Sequence, residues 1–198
     1  MTSGGNCTSG FAINAPYRPF MVTAKHCFVG VPLGTTVRNG TNTNTNNFGW
    51  LAINGPTGVD VSLMGGSIYM GRTYRSANTT SWGNVSGSGD PTSGYTYCQY
   101  GVVSRLICGG QVTAYNAQIT YPGSGEVYSV TQFERPCADG VLVRQGDSGG
   151  PVGLPLLNGT IGARGMVSAE STIGATCYGY HTPWSVIAAN FGATVING

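Results

Sequence analysis

Acyl transfer needs a nucleophile, a base and a carboxylate to orient the base. Gly146-Asp147-Ser148-Gly149-Gly150-Pro151 sets a serine among glycines. Glycines permit a sharp turn that points the hydroxyl outward and leaves backbone N–H groups beside it, where a developing oxyanion needs them. A lone glycine-rich turn would read the same over four residues; the full six-residue string is far more specific. A serine hydroxyl is a weak nucleophile until a base takes its proton. The chain has two histidines, His26 and His181. His26 ends Val22-Thr23-Ala24-Lys25-His26 and is followed by Cys27, so it leaves an apolar run beside a residue able to anchor it. It is the preferred base. His181, after Tyr178-Gly179-Tyr180, reads as a packing or surface residue, with a pocket wall as the alternative.

The carboxylate follows by elimination among four aspartates. Asp147 adjoins the serine and points away from it, Asp90 lies in a Gly/Ser/Pro loop, and Asp139 follows Cys137-Ala138 in another loop. Asp60 interrupts the strand-like run Val59-Asp60-Val61-Ser62-Leu63-Met64. A carboxylate buried there is costly without a partner, and His26 is the natural one; an edge-strand aspartate facing water is the alternative.

The elements that must position these residues are short strands. Phe20–Thr23, Val59–Met64, Val102–Ser104, Val112–Tyr121, Val127–Phe133 and Ile161–Val167 recur between turn signals, the rhythm of an all-β sandwich or barrel. Thirty-three glycines, with many Thr, Ser, Asn and Tyr, suit that class. One helix is predicted at the C-terminal end: Thr182 caps it, Pro183 fits its first turn, Trp184, Ile187, Ala188 and Phe191 share a face, and Gly192 ends it. Thr41–Asn47 reads as an exposed polar loop, and Val85–Pro91 as a stretch near a domain connection. Sequons occur at Asn6, Asn39, Asn78, Asn84 and Asn158, as an Asn/Thr-rich chain produces by chance.

Only 8% of residues are charged and the net charge is +2, which leaves no basic field for a nucleic-acid backbone. Six cysteines without CxxC spacing, beside two histidines, favour disulfides over a zinc site and hence an oxidising compartment. Spacing alone does not select their pairing. No apolar run is long enough to span a bilayer, and Met1 opens on polar residues, as in a mature or trimmed domain with an added start.

Thr23-Ala24-Lys25-His26-Cys27, Val59-Asp60-Val61 and Gly146–Pro151 match, in order, the triad motifs of chymotrypsin-like serine proteases. The chain most resembles the secreted bacterial branch, the Streptomyces griseus and α-lytic protease type. Cys7-Thr8-Ser9-Gly10-Phe11, Cys108–Ala114, Ile119-Thr120-Tyr121-Pro122 and the final helix extend the resemblance over nearly the whole chain. It implies two six-stranded antiparallel Greek-key barrels, over residues 1–84 (His26, Asp60) and 85–198 (Ser148 and the helix), with the active site in the cleft between them. It also implies disulfides Cys7–Cys27, Cys98–Cys108 and Cys137–Cys177. Ser148 would be the nucleophile, His26 the general acid/base and Asp60 its orienting anion, with the N–H groups of Gly146 and Ser148 as oxyanion hole. Ala138, Val167, Ser168 and Ala169 would bind substrate, the strand Met166–Ala169 pairing with its backbone and Ser168 lying near Asp60.

By the same resemblance the function is that of a secreted, extracellular, monomeric serine endopeptidase that uses no metal or cofactor. Its partners would be polypeptides, including a removed pro-segment or a proteinaceous inhibitor, and neither nucleic acid nor membrane. The stretch Cys137–Ser148 is longer than the compact loop usual in the bacterial branch, and Ala169-Glu170 stands where small glycines are expected, so the specificity pocket departs from the family pattern. Asp139 and Glu170 either favour basic side chains or face water, and a medium-sized apolar P1 residue is the preferred reading. Bacterial relatives pair the aspartate before the serine with an arginine; its expected place after Cys98 holds Gln99, which makes Arg105 or Arg144 the substitute partner of Asp147. The rival readings are a binding module that keeps the cleft without catalysis, and an esterase or transferase with the same three residues.

Overall fold

The chain is mostly β with one C-terminal helix in the computed structural model, which describes residues 7–16, 18–38, 46–74 and 82–198. In chain order the strands are β1 Ala12–Ala15, β2 Arg18–Thr23, β3 Thr36–Arg38, β4 Asn47–Asn54, β5 Ser62–Gly65, β6 Arg72–Tyr74, β7 Trp82–Ser88 and β8 Thr96–Gly101. They continue as β9 Arg105–Thr120, β10 Val127–Pro136, β11 Pro151–Pro155, β12 Ile161–Ile173, β13 Thr176–Pro183 and β14 Thr194–Val195, with the helix α1 at Trp184–Phe191.

The strands form two sheets, of six and eight strands rather than six and six. The first runs β14-β1-β2-β5-β4-β3 and the second β11-β8-β9-β10-β13-β12-β7-β6. In the second sheet β11 also pairs with β12, so six of its strands are hydrogen-bonded in a closed circuit. The two extra strands, β6 and β7, come from the middle of the chain; β7 lies parallel to β12, with Val85 opposite Ile161. Residues 84 and 85 both fall inside β7, and the last strand, β14, returns to the first sheet beside β1.

The main core lies between the sheets. Phe11, Ile13, Val22, Val61 and Leu63 from the first side pack with Val85, Ala163 and Met166 from the second, and Trp184 and Ile187 of α1 close the cluster. At about 1.5–3 kcal/mol for each large apolar side chain fully buried, this cluster holds the two sheets in one fixed relation. A second core, inside the eight-stranded sheet, gathers Tyr97, Val112, Phe133, Val152 and Val167. Leu142 and Val143, from the long stretch before Ser148, are buried in it.

Three local expectations need correction. Val102–Ser104 is the turn between β8 and β9, not a strand; Arg105 takes φ 64° to close it. The helix has Pro183, not Thr182, at its N-cap, and the Ser185 N–H is met by Asp90 Oδ1 at 2.7 Å, so an aspartate read as a loop residue caps the helix from afar. Gly192 in the left-handed region ends it at φ 57°. Asn47, expected in a loop, opens β4, while residues 41–45 and the sequons at Asn6, Asn39 and Asn78 lie outside the described residues.

Candidate active site

β2 delivers the chain into a short 3-10 turn, Lys25–Phe28, which carries His26. The Cys7–Cys27 disulfide ties this turn to the N-terminal segment. Asp60 stands two residues before β5 rather than within a strand, on a loop closed by the Gly55 N–H on Val61 O at 2.8 Å. Its residue is 1% exposed. Asp60 Oδ1 accepts from the His26 backbone N–H at 2.9 Å, and His26 Nδ1 lies 3.0 and 2.9 Å from Oδ1 and Oδ2. A buried carboxylate is satisfied in this way by one imidazole edge and one peptide N–H. Because an ionised carboxylate only accepts, the Nδ1 proton stays on that edge and the Nε2 lone pair is left for a proton from elsewhere.

One face of His26 is covered. The Tyr121 ring, at the end of β9, stacks on the imidazole with centroids 4.2 Å apart and planes 28° from parallel. Tyr121 belongs to the string Ile119-Thr120-Tyr121-Pro122, and nothing in its spacing signals a contact with a residue 95 positions earlier.

The serine half is built from backbone. Around Ser148, Gly146 and Gly149 hold φ 104° and 87°, values that exclude ordinary side chains. The Thr8 N–H donates to Ser148 O at 2.8 Å and the Thr8 hydroxyl to Gly146 O at 2.9 Å, so the residue after Cys7 grips both ends of the turn. A Cβ on Gly149 would fall 2.5 Å from Thr23 Oγ1 and 2.9 Å from Ala24 N, which sets the serine turn against the segment leading into His26. Ser148 itself is half-buried. Among the described residues the N–H groups of Gly146 and Ser148 donate to no protein acceptor, and no hydrogen bond joins Ser148 Oγ to His26. Contacts of that second kind are commonly long in unliganded sites.

Asp147 is not paired with an arginine side chain among the described residues. Its Oδ1 accepts from the Val103 and Ser104 N–H groups at 3.0 Å each, and Oδ2 from the Arg144 N–H at 2.9 Å. Three peptide donors do the work assigned to a guanidinium, and Arg144 contributes its backbone alone. Gly101 leaves room for this carboxylate, since a Cβ there would lie 2.0 Å from Asp147 Oδ1.

Along β12, Val167 N–H donates to Gly150 O and Val167 O accepts from Gly149 N–H, both at 2.8 Å. The ladder to β11 ends at Met166, so beyond it that edge of β12 carries no strand among the described residues. Ser168 is buried, but its hydroxyl pairs with Thr182 Oγ1 at 2.8 Å and makes no hydrogen bond to Asp60. Ala169 is half-buried; Ala138, Asp139 and Glu170 are exposed. The other two disulfides join Cys98 to Cys108 and Cys137 to Cys177.

His181 lies apart from this constellation. It is fully buried, with Nε2 2.6 Å from Gln99 Oε1 and the Phe133 ring edge-on at 4.2 Å. Burial pushes its pKa down to about 3.

No protein-family model matches the chain. It is similar to streptogrisin-A of Streptomyces griseus, 27% identical over 198 residues; the match covers 98% of this chain and 58% of that protein, so the chain spans little more than half of the curated relative. The solved Nocardiopsis protease (NAPase) is 26% identical with a TM-score of 0.75, covering 98% of this chain and 95% of the other. Thermobifida fusca protease A shares the fold at 19% identity, with a TM-score of 0.72 and coverage of 100% and 95%.

Proposed function

We propose that this chain, a relative of the bacterial chymotrypsin-like serine proteases, is a secreted serine endopeptidase in which Ser148, His26 and Asp60 form the catalytic triad. The observation that carries the reading is the buried His26–Asp60 contact, set beside a serine turn whose two adjacent N–H groups meet no acceptor among the described residues. Ser148 Oγ attacks the scissile carbonyl as His26 Nε2 takes its proton, and the Gly146 and Ser148 N–H groups receive the oxyanion. The imidazolium, steadied by Asp60, then protonates the leaving amine, and water enters by the reverse steps to free the acyl group. The reaction calls on neither metal nor cofactor.

The unpaired edge of β12 past Met166 supports a substrate strand laid beside Ser168 and Ala169, with Val167 and Ala138 flanking it. On this reading residues 1–84 and 85–198 are two units, each built on a six-stranded Greek-key barrel, with β14 returning from the second to supply the sixth strand of the first, joined through β7 and facing each other across the cleft. Three disulfides with no free cysteine among the described residues fit an oxidising, extracellular setting. The protein acts as a monomer on polypeptides, and a removed pro-segment or an inhibitor protein would occupy the same cleft. Turnover of a peptide library by the wild type, abolished in Ser148→Ala, tests the proposal and supplies the P1 preference. A folded wild type that turns over esters but no peptide would replace it with an esterase reading.

A further inference from the structure

Lys25, the chain's single lysine, directly precedes His26. Its Nζ lies 2.8 Å from both Oε1 and Oε2 of Glu126 and 3.4 Å from Pro56 O. The two side chains are 17% and 23% exposed, so the pair is only partly buried. It also bridges the molecule: Lys25 follows a strand of the first sheet, and Glu126 closes the β9–β10 turn of the second.

That turn is the one that carries Tyr121. The Tyr121 N–H donates to Glu126 O at 3.0 Å, and Tyr121 O accepts from Gly125 N–H at 2.8 Å and Ser124 N–H at 3.3 Å. Glu126 and Tyr121 therefore move as one unit. The contacts close a circuit, from His26 by one peptide bond to Lys25, by the ion pair to Glu126, through the turn to Tyr121, and by ring stacking back to His26. On the same hairpin the Tyr128 hydroxyl is pushed up to about 12, by burial first.

Resting on the triad reading above, we infer that Lys25 and Glu126 are positioning residues for the base: their ion pair clamps the β9–β10 turn so that Tyr121 holds the plane of His26. Asp60 fixes one edge of the imidazole but leaves its plane free to rock about that edge, and the stacked ring removes this freedom. Reaction rates are steep in such geometry, because a misplacement of about 1 Å costs on the order of a hundredfold. A partly exposed ion pair contributes little to global stability, which separates the two effects experimentally.

The test uses the full chain and the variants Lys25→Met, Glu126→Gln, Tyr121→Leu, Tyr121→Phe and the exchange Lys25→Glu with Glu126→Lys. Two readouts are taken, kcat and KM on one peptide substrate and the nuclear Overhauser contact between the Tyr121 ring and His26 Cε1–H. Lys25→Met and Glu126→Gln should each lower kcat roughly tenfold at nearly constant KM and weaken the ring contact. Either change should add little in a Tyr121→Leu background; Tyr121→Phe, which keeps the ring, and the charge exchange should recover most of kcat. A Lys25→Met protein with wild-type kcat and an intact ring contact overturns the clamp. A wild type that cleaves nothing overturns the protease reading instead, and the ring contact in the variants still decides whether the pair holds Tyr121 on His26.

Discussion

The molecule places its two histidines in opposite surroundings. His26 meets a buried carboxylate on one edge and a tyrosine on one face, and sits at the margin of the core with 8% of its surface exposed. His181 meets a neutral amide and the edge of Phe133, with Nδ1 buried and without a partner among the described residues, and burial holds it uncharged down to about pH 3. An imidazole works as a base only if its protonated form is welcome. At His26 the partner on that edge is the Asp60 carboxylate, whereas at His181 a dry, neutral enclosure disfavours the charged form. On the proposed reading, the two histidines differ in their partners, a carboxylate at one and a neutral amide at the other, not in residue type.

The largest effect that would break this contrast is on turnover. Asp60→Asn should lower kcat/KM by about 10⁴, because an amide no longer dictates which nitrogen carries the proton, whereas Gln99→Glu should leave turnover per folded molecule nearly unchanged. A loss below tenfold in Asp60→Asn would remove the carboxylate from the account. Next in size is stability. His181→Ala empties a buried site and orphans Gln99, which should cost about 2–4 kcal/mol in denaturant titration while kcat per folded molecule stays within a few-fold.

The pH dependence sharpens the same point. His181 titrates near 6.5 when unfolded and about 3 when folded, so the unfolded chain binds the extra proton between those values. Its contribution is therefore intact above about pH 6.5 and is lost as pH falls toward 3, with a slope of up to about 1.4 kcal/mol per pH unit. His181→Gln should flatten that slope; an unchanged slope in the variant would assign it elsewhere. Glu126, lowered by its bond to Lys25, adds a smaller loss below its ordinary value of 4.5. Smallest of all, and remote from both histidines, Asp90→Ala should cost about 1 kcal/mol through the α1 cap and leave kcat unchanged, a calibration of stability without chemistry.

Much of this was legible along the chain. The β rhythm was plain because short apolar or β-branched runs between turn signals, at Phe20–Thr23, Val127–Phe133 and Ile161–Val167, each fall within a strand. His26 and Asp60 could be matched by elimination because the chain is so poor in charge that few carboxylates compete. What stayed illegible depends on the third dimension. Val102–Ser104 has strand-like composition yet forms a turn, since the Val103 and Ser104 N–H groups are drawn onto Asp147 and that of Val102 onto Thr8 Oγ1. A cation is the partner that sequence suggests for Asp147, whereas the peptide N–H donors it meets have no sequence signature. Lys25, Tyr121 and Glu126 come together only when the two sheets meet.

On the proposed reading, Ser148 is a nucleophile activated by His26. The most direct test is covalent labelling with a fluorophosphonate and mapping of the modified residue by mass spectrometry, in wild type, Ser148→Ala and His26→Ala. The account predicts one label per molecule, on Ser148, absent in the first variant and slowed by several orders of magnitude in the second. A folded, disulfide-bonded wild type that takes up no label, or labels equally fast without His26, would contradict it.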